Sequence, residues 1–261
     1  MDNLGANSVS VDKHTVTLRF ERAMPTYGQH AQVQIAMAKE LVRMAVPFLS
    51  GCAHMLEIGC GTGVLTSEFL ACMRPERFVA NDLVDASVGF IRPIVASHGI
   101  PYFDFMTGDA ESIELPDACH VVWSGATVQW FHDKASFFRK VADSLISQGV
   151  FAFSTFGPAN FLEMRTCSGA GLGYLPSGGM HDLLSPCFDV LAFNEWTDTL
   201  WFPAPMEVLR HVKQTGVGGT SVPDWRRTQF STFCSGYRSY FDPENGYPLT
   251  YHPMLFVCRK R

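Results

Sequence analysis

The sequence predicts an α/β fold, a mostly parallel sheet with helices on both faces, and three observations carry that expectation. Strand-like and helix-like segments alternate from His54 to Phe156, the pattern of a parallel sheet covered on both sides. A glycine turn, Glu57-Ile58-Gly59-Cys60-Gly61-Thr62-Gly63, stands between the first strand and the helix behind it. Carboxylates then recur where strands end, and in open sheets of this kind ligands bind beyond the carboxyl ends of the strands.

The elements follow in order. Residues 1–14 are polar and irregular and read as a flexible terminus. From Arg19 to Val46 the apolar spacing suits helices, with a break expected at Pro25. Strands are expected over 54–58, 77–82, 102–106, 119–124 and 149–156, with helices over about 63–71, 85–97 and 134–147. Residues 157–187 are rich in Gly, Pro and Ser and read as part of a substrate lid. Phe188 to Phe202 looks strand-like and aromatic. A helix over 204–215 stops at Gly216, as left-handed C-terminal glycines commonly stop helices. A further helix is expected from Pro223 to about Tyr240, and Leu249 to Cys258 reads as the final strand. No repeat or charged linker divides the chain, so residues 15–261 form a single domain in this reading.

Composition excludes several classes of function. At 261 residues the chain is long enough to bury a proper core. A formal charge of −5 argues against a general nucleic-acid binder, which shows a basic stripe. No apolar run approaches the roughly 20 residues that cross a bilayer, and no signal peptide is visible. The expectation is a cytoplasmic protein with neither nucleic acid nor membrane as partner. Eight cysteines are scattered without a C-x-x-C pair, so no zinc site, redox motif or other metal centre is expected. Cys60 alone lies inside the glycine turn, as a small pocket-lining residue rather than a nucleophile.

The strand ends converge on one ligand. Glycines at 59, 61 and 63 let the backbone turn sharply and approach a ligand closely. The spacing is not the dinucleotide fingerprint G-x-G-x-x-G: the third glycine comes one residue early, and Glu57 precedes the first. Asp82, with Leu83 behind it, closes the second strand near the spacing at which such folds place a ribose-binding carboxylate. Asp109 and Ala110 follow the third strand, where the Asp side chain can accept from an adenine amino group. Ser124 follows the fourth, beside the expected methyl donor. Taken singly, a strand-end Asp is as readily a helix cap or turn former. Together the set is similar to that of S-adenosylmethionine (SAM) methyltransferases, so SAM is the expected cofactor.

The resemblance extends over nearly the whole chain. Residues Arg22 to Gln34, including Tyr27, Ala31 and Gln34, resemble the N-terminal Y-D-x-x-A-x-x-Q helix of the malonyl-acyl-carrier-protein O-methyltransferases of biotin synthesis, the BioC family. Val122 to Trp130 is similar to that family's strand-four stretch ending in Q-W. Phe153 to Arg165, with Asn160 followed by Glu163 and Arg165, resembles its strand-five exit. Leu209 to Val217 and Pro248 to His252 resemble its second half. Gly28 departs from the pattern, standing where the family usually has Asp, and Trp123, Gly125 and Thr127 vary the strand-four motif.

The resemblance implies a Rossmann-like class I methyltransferase fold with seven strands and a lid insertion. It implies SAM-dependent methylation of the free carboxyl of malonyl-acyl-carrier protein, or malonyl-CoA, so that a masked chain can be elongated toward pimelate. A carboxylate with a pKa near ~4 is already ionised at neutral pH, so no general base is expected. His132 is accordingly read as a surface residue near a helix start. Arg165 is the expected carboxylate-orienting residue, because its planar fork suits bidentate recognition; an exposed helix Arg is the plain alternative. Tyr27 and Gln34 are expected over the cofactor or, for Gln34 especially, in helix packing. Trp130 and Trp201 read as core, with substrate wall as the alternative. An acidic carrier protein needs a basic patch, for which Lys39, Arg43, Arg74, Arg77, Arg226 and Arg227 are available. The rival readings are a methyltransferase for another small carboxylic acid and a SAM-binding protein without catalysis.

Overall fold

The computed structural model describes residues 11–49, 51–216 and 227–261. Its centre is a seven-stranded sheet built from β1 (His54–Ile58), β2 (Arg77–Asp82), β3 (Tyr102–Thr107), β4 (Cys119–Ser124), β5 (Leu145–Phe156), β6 (Phe188–Glu195) and a late strand. Two further strands, β7 (Asp198–Phe202) and β8 (Tyr247–Tyr251), form a separate antiparallel pair, and β9 (Pro253–Lys260) returns to the main sheet. The order β3-β2-β1-β4-β5-β9-β6 places β1 and β4 centrally. β1 to β5 run parallel, and β9 is antiparallel to both of its neighbours.

Both faces of the sheet are buried because successive side chains point to opposite sides. Leu56, Ile58 and Val122 enter one apolar cluster, whereas Met55, Val121 and Trp123 enter the other. The first cluster packs against α5 (Lys134–Ser144) and α7 (Ser177–Leu184). The second packs against α2 (Gln32–Ala45), α3 (Val64–Cys72), α4 (Val88–His98), α8 (Pro205–Gln214) and α9 (Arg227–Tyr237). Residues 157–187 are more structured than their composition suggests. α6 (Leu162–Ser168) and α7 lie within them, and Met180 and Leu184 of α7 are fully buried.

Other expectations shift for identifiable reasons. Residues 11–14 already belong to order: Asp12 caps α1 (Lys13–His30), accepting from the His14 N–H at 3.1 Å. Pro25 does not break that helix. The carbonyl that its missing N–H would have served belongs to exposed Glu21, and Ala23 and Met24 bury the adjoining turn. The chain bends instead at Ala31. The run 188–202 is two strands in different sheets, and 249–258 splits likewise at His252. The helix expected over 204–215 matches α8, with Gly216 left-handed at φ 65°. The part of the helix expected over 223–226 lies outside the described residues, as does Arg226. Among the described residues no helix is long and apolar enough to cross a membrane.

Candidate active site

The glycine turn is built for close approach. Gly59, Gly61 and Gly63 have φ of 71°, 52° and 81°, a region L side chains seldom occupy. A Cβ on Gly59 would lie 2.2 Å from Thr127 Oγ1, and one on Gly63 would lie 2.4 Å from Ile94 Cδ1. The first glycine therefore lets the turn close on the loop after β4, and the third lets α3 pack on α4. The turn borders a cavity of about 160 Å³ at the carboxyl ends of the central strands.

One end of the cavity is acidic. Asp82 is buried; its Oδ2 accepts from the Gly61 N–H at 2.7 Å and its Oδ1 from the Val84 N–H at 2.8 Å. Burial pushes its pKa up, while those N–H groups pull it back. Glu57 is 1% exposed and accepts from the Thr66 hydroxyl. Burial, reinforced by the charge of Asp82, raises its pKa to about 8. The Cys60 thiol is pushed well up by burial and by the same two carboxylates, so it lines the cavity as an inert group. Asp109 receives Lys13 Nζ at 2.6 and 2.7 Å, and Lys13 also pairs with Glu111.

The other walls come from the N-terminal helices and the later loops. Lys13, Val16, Phe20 and Tyr27 present one side of α1 to the cavity, followed by Gln34 and Ala38 of α2. Leu65, Trp130, Phe131 and Phe156 add apolar surface, and Ser154, Thr215 and Gly216 complete the lining. Gln34 is 6% exposed, and among the described residues its Oε1 has no hydrogen-bond partner.

Of the residues expected at the site, Tyr27, Glu57, Gly59, Cys60, Gly61, Asp82, Leu83, Asp109 and Ala110 line this one cavity. Gly63 and Ser124 stand behind it. Ser124 is fully buried and its hydroxyl donates to the Ile58 carbonyl at 3.0 Å, tying β4 to β1. Arg165 does not line the cavity either. Its terminal nitrogens donate to the Pro158 and Leu172 carbonyls at 2.7 and 3.3 Å, and its guanidinium lies over the Tyr174 ring. As arranged here it braces the segment after β5 rather than presenting a free fork. Trp130 is a wall rather than core, and Trp201 is exposed on β7. His132 is at the surface before α5. Lys13, Phe20, Thr127, Gln129, Phe131 and Thr215 are lining residues the sequence did not single out; the helical spacing 13, 16, 20, 27 was the available signal for the first two.

The strand-five exit has an architectural role of its own. Asn160 donates to the Tyr174 hydroxyl at 2.9 Å and accepts from the His252 N–H at 3.2 Å. Glu163 accepts from the Thr250 N–H at 3.0 Å and from its hydroxyl. Between them Phe161 is held left-handed at φ 54°. These bonds clamp β8 and the junction to β9 onto the end of β5, beside Phe156 in the cavity wall.

Comparison with known proteins bears on the family and the fold. A family model described as "Methyltransferase domain" matches residues 56–153. A malonyl-acyl-carrier-protein O-methyltransferase of Chlorobium luteolum is 38% identical over 253 residues, covering 96% of each chain. The chain belongs to the malonyl-acyl-carrier-protein O-methyltransferase family. Family members from Bacteroides thetaiotaomicron and Haemophilus influenzae are 34% and 32% identical, over 96% of this chain and 99% and 95% of theirs. Among solved structures, the N-methyltransferase NodS of Bradyrhizobium japonicum in complex with S-adenosylhomocysteine shares the fold, with a TM-score of 0.56 at 10% identity over 94% of this chain and 98% of that one. The YcgJ protein of Bacillus subtilis gives a TM-score of 0.62 at 15% identity over 87% and 98% of the two chains.

Proposed function

We infer that this protein transfers a methyl group from SAM to the free carboxylate of malonyl-acyl-carrier protein, giving the methyl ester. The observation that carries the reading is the match to relatives of that name across 96% of both chains, joined to a cavity whose residues fit the cofactor. The left-handed glycines bring the backbone of the turn to the edge of the cavity, where Gly61 faces the Phe20 ring of the opposite wall. Asp82, anchored by two N–H groups, has lone pairs left for ribose hydroxyls. Glu57 is a buried carboxyl suited to an ammonium, and Asp109 with Ala110 stands where adenine would lie.

When bound, SAM supplies an electrophilic methyl that the acceptor carboxylate takes up. The chain's own residues bind, orient and exclude water. No side chain need remove a proton, because the acceptor is ionised already. Leu65, Trp130 and Phe156 line the cavity with apolar surface. Opposite charges that partly cancel in the transition state are served by that dryness. Holding the partners at reacting distance removes up to roughly 7–11 kcal/mol of the barrier. Arg165 acts as a positioning residue, steadying Tyr174 and the segment after β5 so that the acceptor end keeps its shape. The lid is the stretch from α6 to the start of α7, since α7 itself is core.

For carrier docking, Arg74 and Arg77 lie at the amino end of β2, away from Asp82 and the cavity. Lys39 and Arg43 of α2 are exposed, although Arg43 is paired with Glu40. The α2 surface is therefore the better placed of these two groups.

The test is transfer of labelled methyl from SAM to malonyl-acyl-carrier protein, with acetyl-carrier protein and malonyl-CoA alongside. Label appearing as a base-labile ester on the malonyl carrier, and not on the acetyl one, is the expected result. Absence of transfer to any malonyl thioester would overturn the reading.

A further inference from the structure

Gln34 is the polar group in the cavity wall that the protein leaves unserved. Burying an amide oxygen without a partner forfeits its hydration with nothing in return, and buried polar groups are paired in the great majority of cases. Here the residue is 6% exposed, its Oε1 has no partner among the described residues, and its side chain lines the cavity with Tyr27 and Ala38. Helix packing does not account for this, because an apolar residue of the same length would pack without the penalty. An unpaired acceptor at a cavity wall is accounted for by a donor that arrives with the ligand.

Which part of the ligand follows from placement. Asp82 and Asp109 mark the adenosine end at the tips of β2 and β3, the outer two strands on that side. Gln34 comes from α2, which packs on β5 and β9 on the other side of β1. It therefore meets the half of the cofactor remote from adenine. That half carries an α-ammonium, with three N–H donors, and an α-carboxylate. A carboxamide can accept from the first and donate to the second. Glu57, also in the cavity wall, supplies charge for the ammonium but no donor for the carboxylate when it is ionised.

We propose that Gln34 is a cofactor-binding residue whose carboxamide recognises the amino-acid end of the methyl donor. The proposal rests on SAM being the cofactor, and its test separates the two. Gln34→Met keeps length and helix compatibility while removing both polar atoms; Gln34→Ala is the second variant should Met disturb folding. Binding of S-adenosylhomocysteine and of 5′-methylthioadenosine, which lacks the amino-acid end, is measured by calorimetry, with thermal unfolding of the ligand-free proteins alongside.

The expected result is that Gln34→Met binds S-adenosylhomocysteine about ten- to a hundredfold more weakly, as for a lost hydrogen bond to a charged group. It should bind methylthioadenosine like the unaltered protein and unfold at the same temperature or higher. Equal weakening of both ligands, or of neither, overturns the proposal. So does unchanged S-adenosylhomocysteine affinity with a raised KM for the malonyl acceptor, which would move Gln34 to the acceptor side. Failure of the unaltered protein to bind S-adenosylhomocysteine would instead sink the SAM reading and take the proposal with it.

Discussion

Replacing Glu57 by Gln separates what this carboxyl does for the ligand from what it does to the fold. Burial raises its pKa from 4.5 to about 8, so the folded protein holds this proton more tightly than the unfolded chain does. Stability from this group is then fully present below pH 4.5 and is lost as pH rises toward 8. One pKa unit is about 1.36 kcal/mol, which gives a loss of about 3–4 kcal/mol between pH 5 and pH 8. Gln has the shape of the neutral acid and can still accept from the Thr66 hydroxyl, but it does not titrate. In urea titrations of the ligand-free proteins, Glu57→Gln should match the parent near pH 5 and exceed it at pH 8. For a chain of this size that is a difference in Tm on the order of 10 °C. Titrating groups that do not interact with Glu57 cancel in the comparison, whereas Asp82, whose charge acts on Glu57, is eased by the same substitution. A stability difference that stays constant across this range would refute the reasoning. The same substitution should weaken SAM binding, since an ammonium loses its ionic partner. It should also abolish the proton released when the parent binds SAM near pH 7, read by calorimetry in buffers of different ionisation enthalpy.

Two further outcomes follow from the backbone and one from the first helix. Gly59→Ala places a Cβ 2.2 Å from Thr127 Oγ1 at φ 71°, so it should cost about 1–3 kcal/mol and eliminate measurable cofactor binding. Gly28→Ala is the opposite case. Its Cβ meets nothing within 4 Å inside α1, and thermal unfolding should show a gain of about 0.5–1 kcal/mol with SAM affinity unchanged. Lys13→Met removes the bond between α1 and Asp109. Stopped-flow displacement should show several-fold faster release of S-adenosylhomocysteine, and high salt should quicken release from the parent only slightly, because a partly buried ion pair is weakly screened.

The half of the site made by strand ends was legible because its chemistry is local. A strand, a tight turn and a helix fix where Glu57, Gly59, Gly61 and Asp82 point, and each is read within a few residues of its neighbours. The half made by α1 and α2 was not, because helical periodicity marks a side that is covered without saying by what. Ala23 and Met24 are covered by protein, whereas Phe20 and Gln34 border the cavity. The second half of the chain failed for a related reason. The runs 188–202 and 249–258 are uniformly strand-like, yet each crosses between two sheets. The switch at His252 depends on Asn160 holding its N–H from 92 residues away, which no local pattern reveals. Arg165 shows the same limit: its residue type suits a carboxylate, and only packing shows its fork spent on the Pro158 and Leu172 carbonyls.

The distribution of charge along the cavity bears on how an anionic acceptor reaches a cationic donor. Glu57, Asp82 and Asp109 follow one another along the tips of β1, β2 and β3, with Lys13 balancing only the last of them. A cationic donor is drawn to this row of carboxyls, while a malonyl carboxylate is repelled from it. The acceptor must then approach along the wall of Trp130, Phe156 and Thr215, where uncharged side chains line the cavity. That wall offers the carboxylate little solvation, so its negative charge is best relieved by bond formation with the methyl. An acidic group placed there, as in Thr215→Asp, would both repel the acceptor and hydrate the passage, and it should raise KM for malonyl-acyl-carrier protein far more than it weakens SAM binding. Equal losses for both ligands would mean that donor and acceptor share one approach and that this polarity of the cavity has no part in ordering them.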